Sequence, residues 1–109
     1  MEWTRLDKTP EGYELIKLIG DCDLYGAPGF ALEILRRIEN GSRRLKLDLS
    51  EVRYLDSTGV GAIIRILKAM NSSGGDIIFS GISGSPRRVL EMTNILALIK
   101  EDGRDGEKT

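Results

Sequence analysis

The chain has no histidine and a single cysteine, Cys22, among its 109 residues. Without histidine, neither a Ser-His-Asp nor a Cys-His nucleophile can be assembled. One cysteine excludes an internal disulfide and any zinc site of paired thiols. Cys22 reads as a small, partly buried residue near a strand end, with no resolving thiol for redox chemistry. Charge of either sign is not in excess: 16 Lys and Arg face 17 Asp and Glu, a net charge of −1. With no basic patch interleaved with aromatics, nucleic acid is not an expected partner. No apolar run reaches the ~20 residues that cross a bilayer. The charged opening Met1-Glu2-Trp3-Thr4-Arg5 is not a signal peptide, so a soluble cytoplasmic protein without a membrane partner is expected. Gly59-Val60-Gly61 is followed by Ile64 rather than glycine, so no dinucleotide fingerprint forms, and no GxxxxGK[ST] occurs. Neither an enzyme, nor a cofactor, nor a resident metal is expected.

What is present is ordinary globular composition, 40% apolar and 30% charged, in a length that suits one domain. Residues 2–8 alternate as a strand, Thr9-Pro10-Glu11-Gly12 is a tight turn, and Tyr13 to Ile19 is a second strand. Gly20 to Gly26 reads as a loop. A helix opens at Ala27-Pro28, with Phe30, Ala31, Ile34, Leu35 and Ile38 on one face and Asn40-Gly41 as its stop. An apolar strand-like run covers Leu45 to Leu55, and a helix follows with Val60, Ile63, Ile64, Leu67 and Met70 as its stripe. Asp76 to Ser80 is a short strand. Ser85 and Pro86 read as cap and first residue of a last helix, which Asn94 closes in a left-handed conformation with Ile95 as its apolar contact. Ile95 to Lys100 fits a strand or a helical turn equally well. The expected fold is α/β. It is a single domain over residues 1–100 with a small mixed sheet, an antiparallel N-terminal hairpin plus parallel strands, under three to four helices. Residues 101–109 are expected to be a flexible polar tail.

The chain is organised around Asp56-Ser57-Thr58-Gly59-Val60-Gly61, at the joint between the long strand and its helix. Asp56, Ser57 and Thr58 can each cap a helix. For Ser57 plain capping, worth about 1 kcal/mol, is the simplest role. Two glycines in a first turn each cost about 1 kcal/mol against alanine. Gly59 and Gly61 are therefore expected to leave backbone N–H groups uncovered and to admit a close approach. A hydroxyl there is well placed to carry a phosphate, because helix dipole and free N–H groups favour negative charge. Asp21, Asp23, Asp48 and Asp56 can gather at strand ends as an acidic, magnesium-binding cluster, or serve as turn and cap residues; the second reading is favoured.

These segments resemble bacterial anti-sigma factor antagonists of the STAS domain family. The resemblance rests on Gly20-Asp21-Cys22-Asp23-Leu24 before the helix at Ala27-Pro28, and on Leu47-Asp48-Leu49-Ser50 before Val52. It rests further on Asp56 to Gly61 and on Arg87-Arg88-Val89-Leu90-Glu91-Met92-Thr93, and it spans residues 1–100. It implies that Ser57 is the phosphorylated residue, with Asp21 and Asp23 beside it in the family fold. It also implies a partner surface made of Asp21, Asp23, Leu24, Asp56, Ser57, Thr58, Gly59 and Gly61. The unphosphorylated chain would bind an anti-sigma factor that is also a serine kinase. Phosphorylation would release it, and a metal-dependent serine phosphatase would reset it. Thr58 is the competing acceptor. A weak homodimer, a scaffold module without a sigma factor, and a nucleotide- or anion-binding module are the alternatives.

Overall fold

A computed structural model describes residues 1–102. Its elements are β1 (Glu2–Arg5), β2 (Glu14–Cys22), α1 (Ala27–Glu39), β3 (Arg44–Leu55), α2 (Ser57–Ser72), β4 (Asp76–Ser80), α3 (Gly84–Met92) and a single 3-10 turn, Leu96–Leu98. The strands lie side by side in chain order. β1 is antiparallel to β2, while β2, β3 and β4 are mutually parallel. The mixed sheet with an antiparallel hairpin at its edge is thus as expected. Right-handed crossovers that step the same way across a sheet put their helices on the same face. Accordingly α1 and α2 pack against each other and share one apolar core with Ile16, Leu18, Leu45, Leu47 and Phe79. The opposite face carries Lys17, Lys46, Asp48 and Glu51, with Lys17 paired to Glu51 at 2.8 Å.

Two departures from the expected elements shape the site. β2 runs three residues past Ile19, through Gly20 and Asp21 to Cys22, because β3 continues far enough to pair with them. β3 also carries two register shifts against β2. Each inserts an extra residue, so the inward-facing spacing changes from the two-residue alternation of Leu45, Leu47 and Leu49 to the three-residue steps of Val52 and Leu55. Asp48 Oδ1 accepts the N–H of Ser50 at 2.9 Å beside the first shift. Beyond the second, Cys22 and Leu55 point into the core, and the paired Asp21 and Tyr54 point out.

The buried stripe of α2 is Gly59, Val60, Ala62, Ile63, Ile66 and Met70. Ile64 and Leu67, expected within it, are half-buried instead and line a groove with Ile77 and Leu98. The helix is apolar on more than one side, so periodicity alone could not choose which side faces in. At α3 the hydrogen-bonded register begins earlier than expected: Arg87 N–H bonds Ser83 O, Ser83 is the cap residue, and Pro86 lies inside the first turn. Gly84, with φ of +61°, makes this earlier entry tolerable. Asn94 does end the helix at φ +63°, with Ile95 N–H on Leu90 O and Asn94 N–H on Glu91 O.

Ile95 to Lys100 resolves into the 3-10 turn, after which Glu101 forms a parallel bridge to Phe79. Glu101 and Asp102, assigned to the tail by their polarity, are therefore held in place. Arg87 bonds Glu101 at 3.0 Å, Lys46 pairs with Asp102, and Lys100 reaches Asp76 at 2.9 Å. The rest of the expected tail, residues 103–109, lies outside the described residues.

Candidate functional site

At about 3.3 Å per residue the twelve residues of β3 span roughly 36 Å, close to the 38 Å longest dimension of the molecule. The strand thus delivers Asp56 and the start of α2 to one extreme end. There Asp56 is the cap: its Oδ1 accepts the N–H groups of Thr58 at 2.9 Å and Gly59 at 3.1 Å. The other oxygen, Oδ2, accepts the N–H of Leu24 at 3.2 Å. One carboxylate therefore ties the β2–α1 loop to the helix start. Asp23 shapes that loop, its Oδ1 accepting from Tyr25 and Gly26 N–H at 3.0 and 2.9 Å.

With Asp56 capping, Ser57 does not. It is the first residue of α2, it is exposed, and its hydroxyl makes no hydrogen bond among the described residues. The capping role expected as the simplest for Ser57 thus belongs to its neighbour. Thr58 is half-buried, and its hydroxyl likewise has no partner among the described residues.

The row of uncovered amides expected at this helix start is not there. Thr58 and Gly59 donate to the Asp56 carboxylate, and Val60 donates to the Asp56 carbonyl at 2.9 Å. Ser57 N–H alone is left for a visitor. Gly59 is inward-facing: a Cβ there would lie 2.3 Å from Cys22 O and 2.5 Å from Leu55 Cδ1. Its role is to let α2 press onto the end of β2. Gly61, with nothing within 4 Å of a Cβ, is the one of the pair that leaves room.

Asp48, Asp23 and Asp56 all serve as turn and cap acceptors, as favoured from the sequence. Asp21, given the same role, is instead a strand residue whose side chain accepts no hydrogen bond among the described residues. Among the described residues no group of three or more carboxylate, thiol or imidazole side chains is gathered as metal ligands, nor is any helix long and apolar enough to cross a membrane. Among the described residues Asp21, Asp23 and Asp56 have no Lys or Arg ion pair. Below them lies Cys22, buried, its thiol pushed up to about 12 by desolvation and then by the Asp56 and Asp23 carboxylates. Two further residues stand at this end that sequence reasoning missed: Tyr25, 89% exposed, and Tyr54, 48% exposed. The three-residue steps from Leu49 through Val52 to Leu55 were the available signal that Tyr54 turns outward.

These features define a small α/β module that presents, at one end of its sheet, an exposed hydroxyl without a partner among the described residues. The chain belongs to the STAS domain family, whose model matches residues 7–105. It is similar to the anti-sigma-B factor antagonist of Staphylococcus aureus strain NCTC 8325, at 30% identity over 91% of this chain and 88% of that protein. Among solved structures it resembles an anti-sigma factor antagonist of Thermotoga maritima described as putative (TM-score 0.76, 24% identity, 98% of this chain and 92% of that one). It also resembles the phosphorylated form of the Bacillus cell fate determinant SpoIIAA (TM-score 0.70, 18% identity, 97% and 96% covered).

Proposed function

We propose that this chain is an anti-sigma factor antagonist that works by partner switching. Unphosphorylated, it binds an anti-sigma factor serine kinase; phosphorylated on Ser57, it is released; a metal-dependent serine phosphatase restores it. The observation that carries this reading is the exposed hydroxyl at the first residue of α2, without a hydrogen bond among the described residues and beside a cap that does not need it. Esterifying such a hydroxyl breaks nothing in the domain. A phosphate adds roughly −1.5 to −2 charge, and a helix N-terminus returns about 0.3–1 kcal/mol for it. Asp21, Asp23 and Asp56 oppose that gain, so the net effect on folding is small. The likeness to SpoIIAA in its phosphorylated form is in keeping with a fold that tolerates the modification.

A partner packed against this end meets the change differently. It faces a new dianion beside three carboxylates that have no counter-ion among the described residues. A loss of about 3 kcal/mol, roughly a hundredfold in affinity, releases it. The test is incubation with the purified anti-sigma kinase of the source organism and ATP, followed by mass spectrometry, with binding measured for Ser57→Ala and Ser57→Asp. Ser57 is expected to gain one phosphate, Ser57→Ala to bind, and Ser57→Asp to lose binding. An unmodified Ser57 sinks the switch.

A further inference from the structure

Three of the seven large apolar side chains the described residues leave exposed stand at the Ser57 end: Leu24 at 61%, Tyr25 at 89% and Tyr54 at 48%. The first two sit on the loop tied to Asp56 through Leu24 N–H at 3.2 Å. Tyr54 lies across from Asp21 on the outer face of the sheet, where the second shift in β3 aims it. Neither tyrosine side chain has a hydrogen bond or ring contact among the described residues, Tyr25 bonding Asp23 only through its backbone N–H, and the Asp21 side chain has no partner there either. Exposed rings beside carboxylates that have no cationic partner among the described residues suit one chemistry well. Arginine stacks its guanidinium on tyrosine and pairs its edge with a carboxylate. Tyr and Arg are also the residues in which interface hot spots are enriched.

We infer that Leu24, Tyr25 and Tyr54 anchor the partner interface, and that its footprint wraps from the start of α2 around the sheet end to the outer face, against an arginine-bearing protein surface. This deepens the partner-switching reading and rests on it. A second copy of the chain is a poor occupant, because a two-fold contact would set Asp21, Asp23 and Asp56 against their own counterparts.

The test is calorimetric binding of the purified anti-sigma kinase to the wild-type chain, Tyr25→Ala, Tyr54→Ala, Tyr54→Phe, Leu98→Ala and Ser57→Asp, each checked for an unchanged melting temperature. Leu98 is 67% exposed and lines the groove beside Asp76, at the start of β4, so it serves as the distant control. Tyr25→Ala is expected to weaken binding about thirtyfold and Tyr54→Ala about tenfold. Tyr54→Phe, which keeps the ring, and Leu98→Ala are expected to stay within about twofold of wild type. If the tyrosine variants bind like wild type while Ser57→Asp does not, this footprint is wrong and partner switching stands. If the wild-type chain does not bind the kinase, both are overturned.

Discussion

At the start of β3 and β4 the side chains hold one another around the buried Tyr13. Tyr13 donates to Asp76, Lys100 donates to the same carboxylate at 2.9 Å, and Arg44 lies 4.3 Å over the Tyr13 ring. At the far end of the same sheet Asp21, Ser57, Tyr25 and Tyr54 are exposed, and their side chains have no such partners among the described residues. Beneath that bare surface the packing is tight, with Gly59 pressed onto Cys22 and Leu55. One end spends its polar groups on the fold; the other keeps them for something outside it. An end whose surface is idle and whose interior is rigid can take a charge without moving.

The largest effect that would break this contrast is at Gly59. Gly59→Ala is expected to cost about 3 kcal/mol by overpacking, because backbone and not a flexible tip stands 2.3 Å away. Gly61→Ala should instead gain about 0.5–1 kcal/mol of helix propensity. Urea denaturation of both decides it; a Gly59→Ala variant as stable as wild type would mean that the interior of this end is not closed. Next comes Asp56→Ala, which removes the cap and the tie to Leu24 and should lower stability by about 1–2 kcal/mol.

Tyr13→Phe sharpens the comparison from the other side, with an expected loss of about 1 kcal/mol near neutral pH. The Tyr13 hydroxyl and then Lys100 hold the Asp76 carboxyl below its ordinary range. A depressed carboxyl pKa stabilises the fold above the unfolded value, about pH 4, and that contribution is lost as pH falls through the folded value. The gap between wild type and Tyr13→Phe should therefore narrow in acid, and a gap independent of pH would contradict the pairing. Smallest of all is Ser57→Asp, expected to shift stability by no more than about 0.5 kcal/mol. A drop in melting temperature like that of Gly59→Ala would show that the idle surface is not idle.

The succession of strands and helices, the hairpin, the helix positions and the joint at Asp56 were legible because periodicity, turn residues and caps act locally. What stayed hidden depended on contacts between distant segments. Gly59 and Gly61 look alike in a sequence, and only the approach of Cys22 and Leu55 separates an obligatory glycine from a spare one. Asp56, Ser57 and Thr58 are all competent caps, so which of them serves is settled by the path of β3 into the helix. Asp21 was placed in a loop because Gly20 and Asp21 are turn formers, yet pairing with Tyr54 kept it in the strand. Glu101 and Asp102 looked like tail because they are polar, but Arg87 and Lys46 hold them.

The sulfur under Gly59 has a use of its own. With its thiol pushed up to about 12, Cys22 stays protonated at neutral pH, and alkylating reagents and peroxide, which attack the thiolate, should pass it by. Any loosening where α2 meets β2 would let reagent in. The labelling rate of that one atom is thus a built-in gauge of whether adding phosphate overhead leaves the floor below undisturbed.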